Sequence, residues 1–169
     1  MAKKKISTQE LAQKIEKLAK ARMVSQDVVS LDQIRDLKQK ITPKIILVIE
    51  DDETMRSSLK RILESDGFHV KTAADGTELS TALDDVPPSL ILMDIGLPWV
   101  NGLELGQMLK EHPDLKKIPL VFVSGMASLE DMQNAFALGA DDFIKKPFEI
   151  EALKKTIKTL LKINSDTQA

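Results

Sequence analysis

The chain has no cysteine, and it contains no apolar stretch long enough to cross a bilayer. The first absence excludes disulfides, thiolate metal sites and cysteine nucleophiles. The beginning of the chain, Met1–Lys5, is basic but lacks the apolar region of a signal peptide. No internal repeat or low-complexity segment is apparent. These absences lead us to expect a cytoplasmic protein with no membrane span.

The charge is distributed unevenly along the 169 residues, although the net charge is only −2. Residues 1–42 carry 10 Lys or Arg and 5 Asp or Glu, whereas residues 43–169 carry 14 and 21. A basic segment attached to an acidic domain suggests separate roles for the two parts. We therefore predict a basic helical extension over 1–42, a core domain over 43–163 and a short tail over 164–169.

Residues 8–40 show the pattern of two short amphipathic helices. Ser7 and Glu10 have the spacing of a capping box, and Thr42-Pro43 is expected to end the second helix. Apolar residues recur at helical spacing: Leu11, Ile15, Leu18, Leu31, Ile34 and Leu37. Because isolated helices this short are marginal in water, these side chains are expected to pack on protein.

From Lys44 onward, strand and helix patterns alternate. Strands are predicted near 44–49, 68–72, 89–94, 118–123 and 141–145, and helices near 54–65, 76–84, 101–111, 128–137 and 149–162. Five such units indicate an α/β fold with a parallel sheet covered by helices on both faces.

Two of the predicted strands end on acids. The run Ile45–Ile49 is followed by Glu50 and Asp51, and the run Ser89–Met93 is followed by Asp94. Neighbouring parallel strands would bring these three carboxylates together at the edge where open α/β sheets bind ligands. Like charges that close favour a divalent cation, so the pattern indicates a metal site.

Two further strand ends add a hydroxyl and an ammonium group. Pro119–Val123 is followed by Ser124 and Gly125, and the last strand is followed by Lys146 and Pro147. Together with the acids, these groups are typical of a phosphoryl-handling site, because a hydroxyl and an ammonium neutralise phosphoryl oxygens.

Four segments, in this order and at this spacing, resemble the receiver domain of two-component response regulators, of the chemotaxis-regulator type. They are ILVIEDDETMR, LILMDIGLPWVNG, LVFVSG and GADDFIKKPF, and the resemblance extends from about Pro43 to Ile163. It implies a flavodoxin-like fold with strand order 2-1-3-4-5. It also implies a non-enzymatic signalling domain that receives a phosphoryl group from a histidine kinase or phosphotransfer protein and acts on a downstream protein target.

The resemblance assigns roles residue by residue. Asp94 matches the phosphoacceptor, and Lys146 is expected to pair with Asp94 or with the phosphoryl group. Mg²⁺ would be bound by Glu50, Asp51, Asp94 and the backbone carbonyl of Gly96. Glu50 stands where many members have Asp, and Arg56 follows at the expected offset.

The remaining assignments concern the switch. Ser124, with Gly125 beside it, matches the hydroxyl residue that contacts the phosphoryl group, and Phe143 occupies the aromatic switch position without a tyrosine hydroxyl. A cis bond is expected before Pro147. Trp99 is expected to be a partly exposed loop residue.

Alternatives remain for the extension and for the whole chain. The extension is interpreted as a protein-interaction segment that packs on a partner, on a second copy or on the acidic receiver itself, with a homodimer through residues 8–40 slightly favoured. Nucleic-acid binding is less favoured because residues 1–42 contain no aromatic side chain and no recognisable recognition helix. A phosphohydrolase would need a general acid or base and a substrate pocket, and the sequence indicates neither. Few residues follow the last helix, so we expect no conventional output domain.

Overall fold

The computed structural model describes residues 42–162 continuously and, before them, residues 9, 12–17, 31–32, 34–35 and 37. The chain divides into two compact units, Met1–Thr42 and Pro43–Ala169. The predicted tail over 164–169 lies outside the described residues.

The second unit is a five-stranded parallel sheet with order β2-β1-β3-β4-β5. The strands are β1 Ile45–Ile49, β2 His69–Ala73, β3 Leu90–Met93, β4 Leu120–Ser124 and β5 Asp142–Lys145. The helices are α1 Glu53–Ser65, α2 Gly76–Asp84, α3 Gly102–Glu111, α4 Leu129–Ala137 and α5 Ile150–Leu160. The expected fold class and strand order are confirmed, and the predicted bounds agree to within two residues.

The central strands are apolar throughout because both of their faces are covered by helices. In β1, Ile46 and Val48 belong to the core cluster that includes Leu153 and Ile157 of α5. The side chains between them, Leu47 and Ile49, belong to the cluster on the other face, with Leu105 and Leu109 of α3. The sheet therefore separates two hydrophobic cores, and the loops lie at the ends of its strands.

Side-chain caps begin four of the five helices close to the carboxyl ends of the strands. Asp52 accepts a hydrogen bond from Met55 N–H at the start of α1, and Asp75 accepts from Thr77 and Glu78 N–H at the start of α2. Asn101 and Ser128 have the same role at α3 and α4. Each cap satisfies helix N–H groups that otherwise have no partner, so the loops that carry the site have defined ends.

Two glycines of α3 pack closely, one against the loop after β3 and the other against the sheet. A Cβ atom built on Gly102 would lie 2.5 Å from the Ile95 Cα, and one built on Gly106 would lie 2.6 Å from the Phe122 Cζ. Only glycine permits these approaches. The start of α3 is thereby held directly against the loop that follows β3.

Within the first unit, residues 12–17 are helical, and so are the described positions between 31 and 37. The apolar side chains of this segment that the structure describes are exposed: Ile15, Leu31, Ile34 and Leu37. Leu11 and Leu18 lie outside the described residues, as does most of the range 8–40. Packing of this stripe on protein therefore stays a prediction. No helix in the described part of the chain is long and apolar enough to cross a membrane.

Candidate functional site

Three carboxylates converge where β1 and β3 end. Ile49 is paired in register with Met93, and Asp94 N–H donates to the Ile49 carbonyl at 3.0 Å. The residues that follow the two strands therefore emerge side by side. One carboxylate oxygen each from Glu50, Asp51 and Asp94 lies within 4.8 Å of the others. Hard oxygen ligands in this number suit Mg²⁺, so the donor set fits the expected ion.

Lys146 reaches this cluster from the end of β5. Its Nζ lies 2.6 Å from Glu50 Oε2 and 3.1 Å from Asp94 Oδ2. Lys146 N–H donates to the Ser124 carbonyl at 2.9 Å, which fixes the backbone at the end of β5. The Lys146-Pro147 peptide bond is cis. One ammonium group therefore bridges two of the three carboxylates.

Burial and pairing act in opposite directions on these charges. Burial raises the pKa of Glu50 above its ordinary value of 4.5, and the nearby Asp94 charge adds to this, while the hydrogen bond and charge of Lys146 lower it. Burial alone would lower the pKa of Lys146, but its hydrogen bonds and charge interactions with Glu50 and Asp94 outweigh burial and raise it. We infer that the Lys146 ammonium stays charged beside the poorly solvated carboxylate of Glu50.

Hydrogen bonds hold the acidic loop after β1. Arg56 Nη1 donates to the carbonyl oxygens of Glu50 and Asp51, both at 3.0 Å, and Asp52 N–H donates to Glu50 Oε1 at 3.2 Å. Each Glu50 carboxylate oxygen thus has a separate partner, Asp52 N–H on one side and Lys146 on the other. The Glu50 side chain is consequently fixed in direction toward the cluster.

The other predicted residues surround the same edge. Gly96 N–H donates to Asp94 Oδ1 at 3.0 Å. Ser124, at the end of β4, is 5% exposed, and the exposed Gly125 follows it. Phe143 is half-buried in β5, with its ring centroid 6.4 Å from that of Phe122. The predicted site residues therefore lie at or next to the carboxyl edge of the sheet, except Phe143, which lies within β5 and pairs in register with Phe122.

Two contacts were not foreseen from the sequence. The expectation for Lys146 was a pairing with Asp94 or a phosphoryl group, whereas its shortest contact is with Glu50. The signal for this was the Glu at position 50, whose extra methylene lengthens its reach. Trp99 is half-buried, and its indole N–H donates to the Ala74 carbonyl at 3.1 Å. A loop tryptophan alone gives no indication of such a distant partner.

Comparison with known sequences gives a family match. The family described as response regulator receiver domain matches residues 46–158. The aerobic respiration control protein ArcA of Escherichia coli K12 is 37% identical over 116 residues, which are 69% of this chain and 48% of ArcA. The phosphate regulon transcriptional regulatory protein PhoB of Rhizobium meliloti is 33% identical over 71% of this chain and 52% of its own length. The chain thus spans about half the length of these relatives.

Solved structures agree with the sequence comparison. A CheY-like response regulator receiver domain protein from Methanospirillum hungatei has a TM-score of 0.66 at 35% identity, covering 72% of this chain and 95% of its own. A receiver domain of a signal transduction histidine kinase from Syntrophus aciditrophicus has a TM-score of 0.65 at 33% identity. It covers 75% of this chain and 96% of its own. Both align with one whole receiver fold.

Proposed function

This chain belongs to the response regulator receiver family, and from that premise we propose that Asp94 accepts a phosphoryl group and thereby switches protein–protein interactions. The observation that carries the proposal is the convergence of Glu50, Asp51, Asp94 and Lys146 at one edge of the sheet. Acids and an ammonium at that spacing suit the transfer of a group rich in negative charge.

In the proposed reaction, a carboxylate oxygen of Asp94 forms a bond to phosphorus as the P–N bond of a phosphohistidine breaks. The electron pair of the broken bond stays with the imidazole nitrogen, and Asp94 becomes an acyl phosphate. Glu50, Asp51 and Asp94 would hold Mg²⁺, with the Gly96 carbonyl as a further ligand. When bound, the ion neutralises charge on the phosphoryl oxygens.

Lys146 is placed to neutralise charge before and after transfer. Before transfer, it compensates Glu50 and Asp94. Glu50 would help to hold the ion, and Lys146 would then neutralise charge on the phosphoryl group of Asp94. Under this proposal Ser124 donates its hydroxyl to another phosphoryl oxygen, and Phe143 repacks as the end of β4 adjusts.

The proposal extends to domains and partners. Residues 43–163 form the receiver, residues 1–42 a helical protein-interaction extension, and residues 164–169 a tail. The phosphoryl donor is a histidine kinase or phosphotransfer protein, the target is another protein, and the chain itself is not an enzyme that turns over a separate substrate. A cytoplasmic location accords with this role.

The extension is proposed to form a homodimer through residues 8–40. Ile15, Leu31, Ile34 and Leu37 are exposed apolar side chains, which a second copy could cover. Light scattering of the full-length chain tests this proposal: wild type should be a dimer, and Ile15→Asp combined with Ile34→Asp should be a monomer. A wild-type monomer at micromolar concentration would rule out the dimer.

Intact-mass measurement tests the phosphoacceptor role. The full-length chain, incubated with acetyl phosphate and Mg²⁺, should gain one acid-labile phosphoryl group. Asp94→Asn should gain none because an amide is a poor nucleophile, while Asp114→Asn, at an exposed position in the α3–β4 connection, should be labelled like wild type. Equal labelling of Asp94→Asn and wild type would contradict the assignment.

A further inference from the structure

The loop between β3 and α3 is a short closed unit attached to Asp94. Asp94 Oδ1 accepts a hydrogen bond from Gly96 N–H, and the Ile95 carbonyl accepts one from Gly102 N–H, each at 3.0 Å. There is no room for a side chain at Gly102, where a Cβ atom would meet the Ile95 backbone at 2.5 Å. We therefore expect a displacement of the Asp94 carboxylate to move residues 95–101 as one unit.

Trp99 connects this loop to the turn between β2 and α2, which we call the corner Ala74–Thr77. Its Nε1–H donates to the Ala74 carbonyl at 3.1 Å. Its ring covers Gly76, the first residue of α2, where a Cβ atom would lie 3.4 Å from two ring carbons. The ring is half-buried and packs against the core cluster that contains Leu79. One side chain thus contacts both the residue after β2 and the residue that begins α2.

The corner is itself well fixed. Asp75 accepts hydrogen bonds from Thr77 and Glu78 N–H, and Glu78 Oε2 accepts one from Ala74 N–H at 2.7 Å. These bonds cross-link residues 74–78 into one turn. We therefore expect a displacement of Ala74 to move the start of α2 with it, because these hydrogen bonds make the turn rigid.

We propose that Trp99 is a positioning residue that couples the state of Asp94 to the first turn of α2, so that the corner Ala74–Thr77 reports phosphorylation. This rests on the proposed function, because the change at Asp94 is the arrival of a phosphoryl group. That group alters the charge on the carboxylate that accepts the Gly96 N–H bond, and Gly96 is the third residue of the loop that carries Trp99. The rigid indole, three residues farther along, carries the resulting shift to the corner.

The chain offers a direct probe because Trp99 is its only tryptophan. The indole gives a single side-chain N–H signal in a ¹⁵N correlation spectrum. In the full-length chain with Mg²⁺, saturating beryllofluoride, which mimics a phosphoryl group on a carboxylate, should shift this signal and the backbone amides of Gly76 and Thr77. Asp94→Asn should show neither shift.

Trp99→Phe then separates coupling from stability. Phenylalanine keeps an aromatic ring but removes the N–H donor, so beryllofluoride-induced shifts at Gly76 and Thr77 should fall by about twofold or more. The shift at Gly125, on the other side of Asp94, should be retained, which a general loss of structure would not allow. Gly76→Ala is the matched control: it adds one methyl group at contact distance from the ring and keeps the donor, so the shift of Thr77 should persist.

Two results would overturn the coupling. One is an equal response at Gly76 and Thr77 in wild type and Trp99→Phe. The other is an unshifted indole signal when intact mass confirms that acetyl phosphate has modified the wild-type chain. A wild-type chain that gains no phosphoryl group would instead refute the phosphoacceptor role, and the coupling with it.

Discussion

Replacing Lys146 with glutamine is expected to destabilise the metal-free protein and to make its stability depend more strongly on Mg²⁺. The ammonium compensates two carboxylates at once, with Nζ 2.6 Å from Glu50 Oε2 and 3.1 Å from Asp94 Oδ2. Glutamine retains a donor and most of the length but removes the charge. Lys145→Gln is the matched control, because Lys145 is the exposed neighbouring lysine at the end of β5.

The magnitude follows from burial. Removing one partner of a fully buried ion pair costs about 3–5 kcal/mol, because the other charge is left uncompensated. Here the Glu50 side chain is 4% exposed, but those of Lys146 and Asp94 are 18% and 13% exposed, so water compensates part of the loss. The glutamine amide also retains a hydrogen bond worth about 1 kcal/mol. We expect a loss of about 2 kcal/mol, against about 0.5 kcal/mol or less for Lys145→Gln.

Urea unfolding of the three proteins in chelator, and then at increasing Mg²⁺, measures both effects. The ammonium and the ion draw on the same carboxylates, so removing the ammonium should tighten Mg²⁺ binding. A ligand that binds only the folded state stabilises it by an amount that grows with concentration over Kd. The stability gap between Lys146→Gln and wild type should therefore narrow as Mg²⁺ rises.

Two outcomes would refute this reasoning. Equal unfolding midpoints for Lys146→Gln and Lys145→Gln in chelator would show that the ammonium does not stabilise the acidic cluster. A larger Mg²⁺ stabilisation of wild type than of Lys146→Gln would show that the ammonium assists ion binding and does not compete with it.

Three further predictions concern packing, pH and the ion. Gly106→Ala should lower the free energy of unfolding in urea by about 1–3 kcal/mol, because its Cβ would lie 2.6 Å from the Phe122 Cζ; an unchanged midpoint would contradict the packing described for α3. The pKa of Asp66 is lowered, chiefly by its 2.8 Å hydrogen bond from Lys154. The contribution of Asp66 to the free energy of unfolding is therefore complete above its ordinary pKa of 3.8, and it is lost as pH falls through the lower pKa of the folded state. Acid titration of stability should therefore be shallower in Asp66→Asn below pH 3.8 than in wild type, and parallel curves would exclude this contribution. Asp51→Asn should weaken Mg²⁺ binding by roughly tenfold or more, because one carboxylate leaves the donor set; identical calorimetric titrations would remove Asp51 from the site.

The fold could be predicted from the sequence because its strands are buried on both sides. A strand such as Ile45–Ile49 must be apolar at every position to face helices above and below the sheet, and that leaves a continuous run bounded by polar loops. Strand order is a different matter. Runs that are apolar throughout carry no sign of their neighbours, so the order came from the family resemblance and not from the pattern.

The site could be predicted to the level of residues but not of contacts. Residues that follow neighbouring parallel strands share one edge, so Glu50 and Asp94 were expected to converge once the resemblance had placed β1 beside β3. Which carboxylate the ammonium of Lys146 approaches most closely depends on ångström-level differences in side-chain length and backbone position. Trp99 is a similar case, because its partner Ala74 lies 25 residues earlier in the chain.

The glutamate at position 50 changes how the resting state of the site is understood. Its carboxylate is fixed between Asp52 N–H and the Lys146 ammonium, and Lys146 also contacts Asp94, so two acids hold the lysine. Under the proposed function, Mg²⁺ binding and phosphorylation both withdraw carboxylate charge from Lys146. Once Asp94 carries a phosphoryl group, Lys146 would remain close enough to neutralise charge on the phosphoryl oxygens. Glu50→Asp would test this step: the shorter side chain should lengthen the contact with Lys146, and in chelator it should reproduce part of the destabilisation caused by Lys146→Gln.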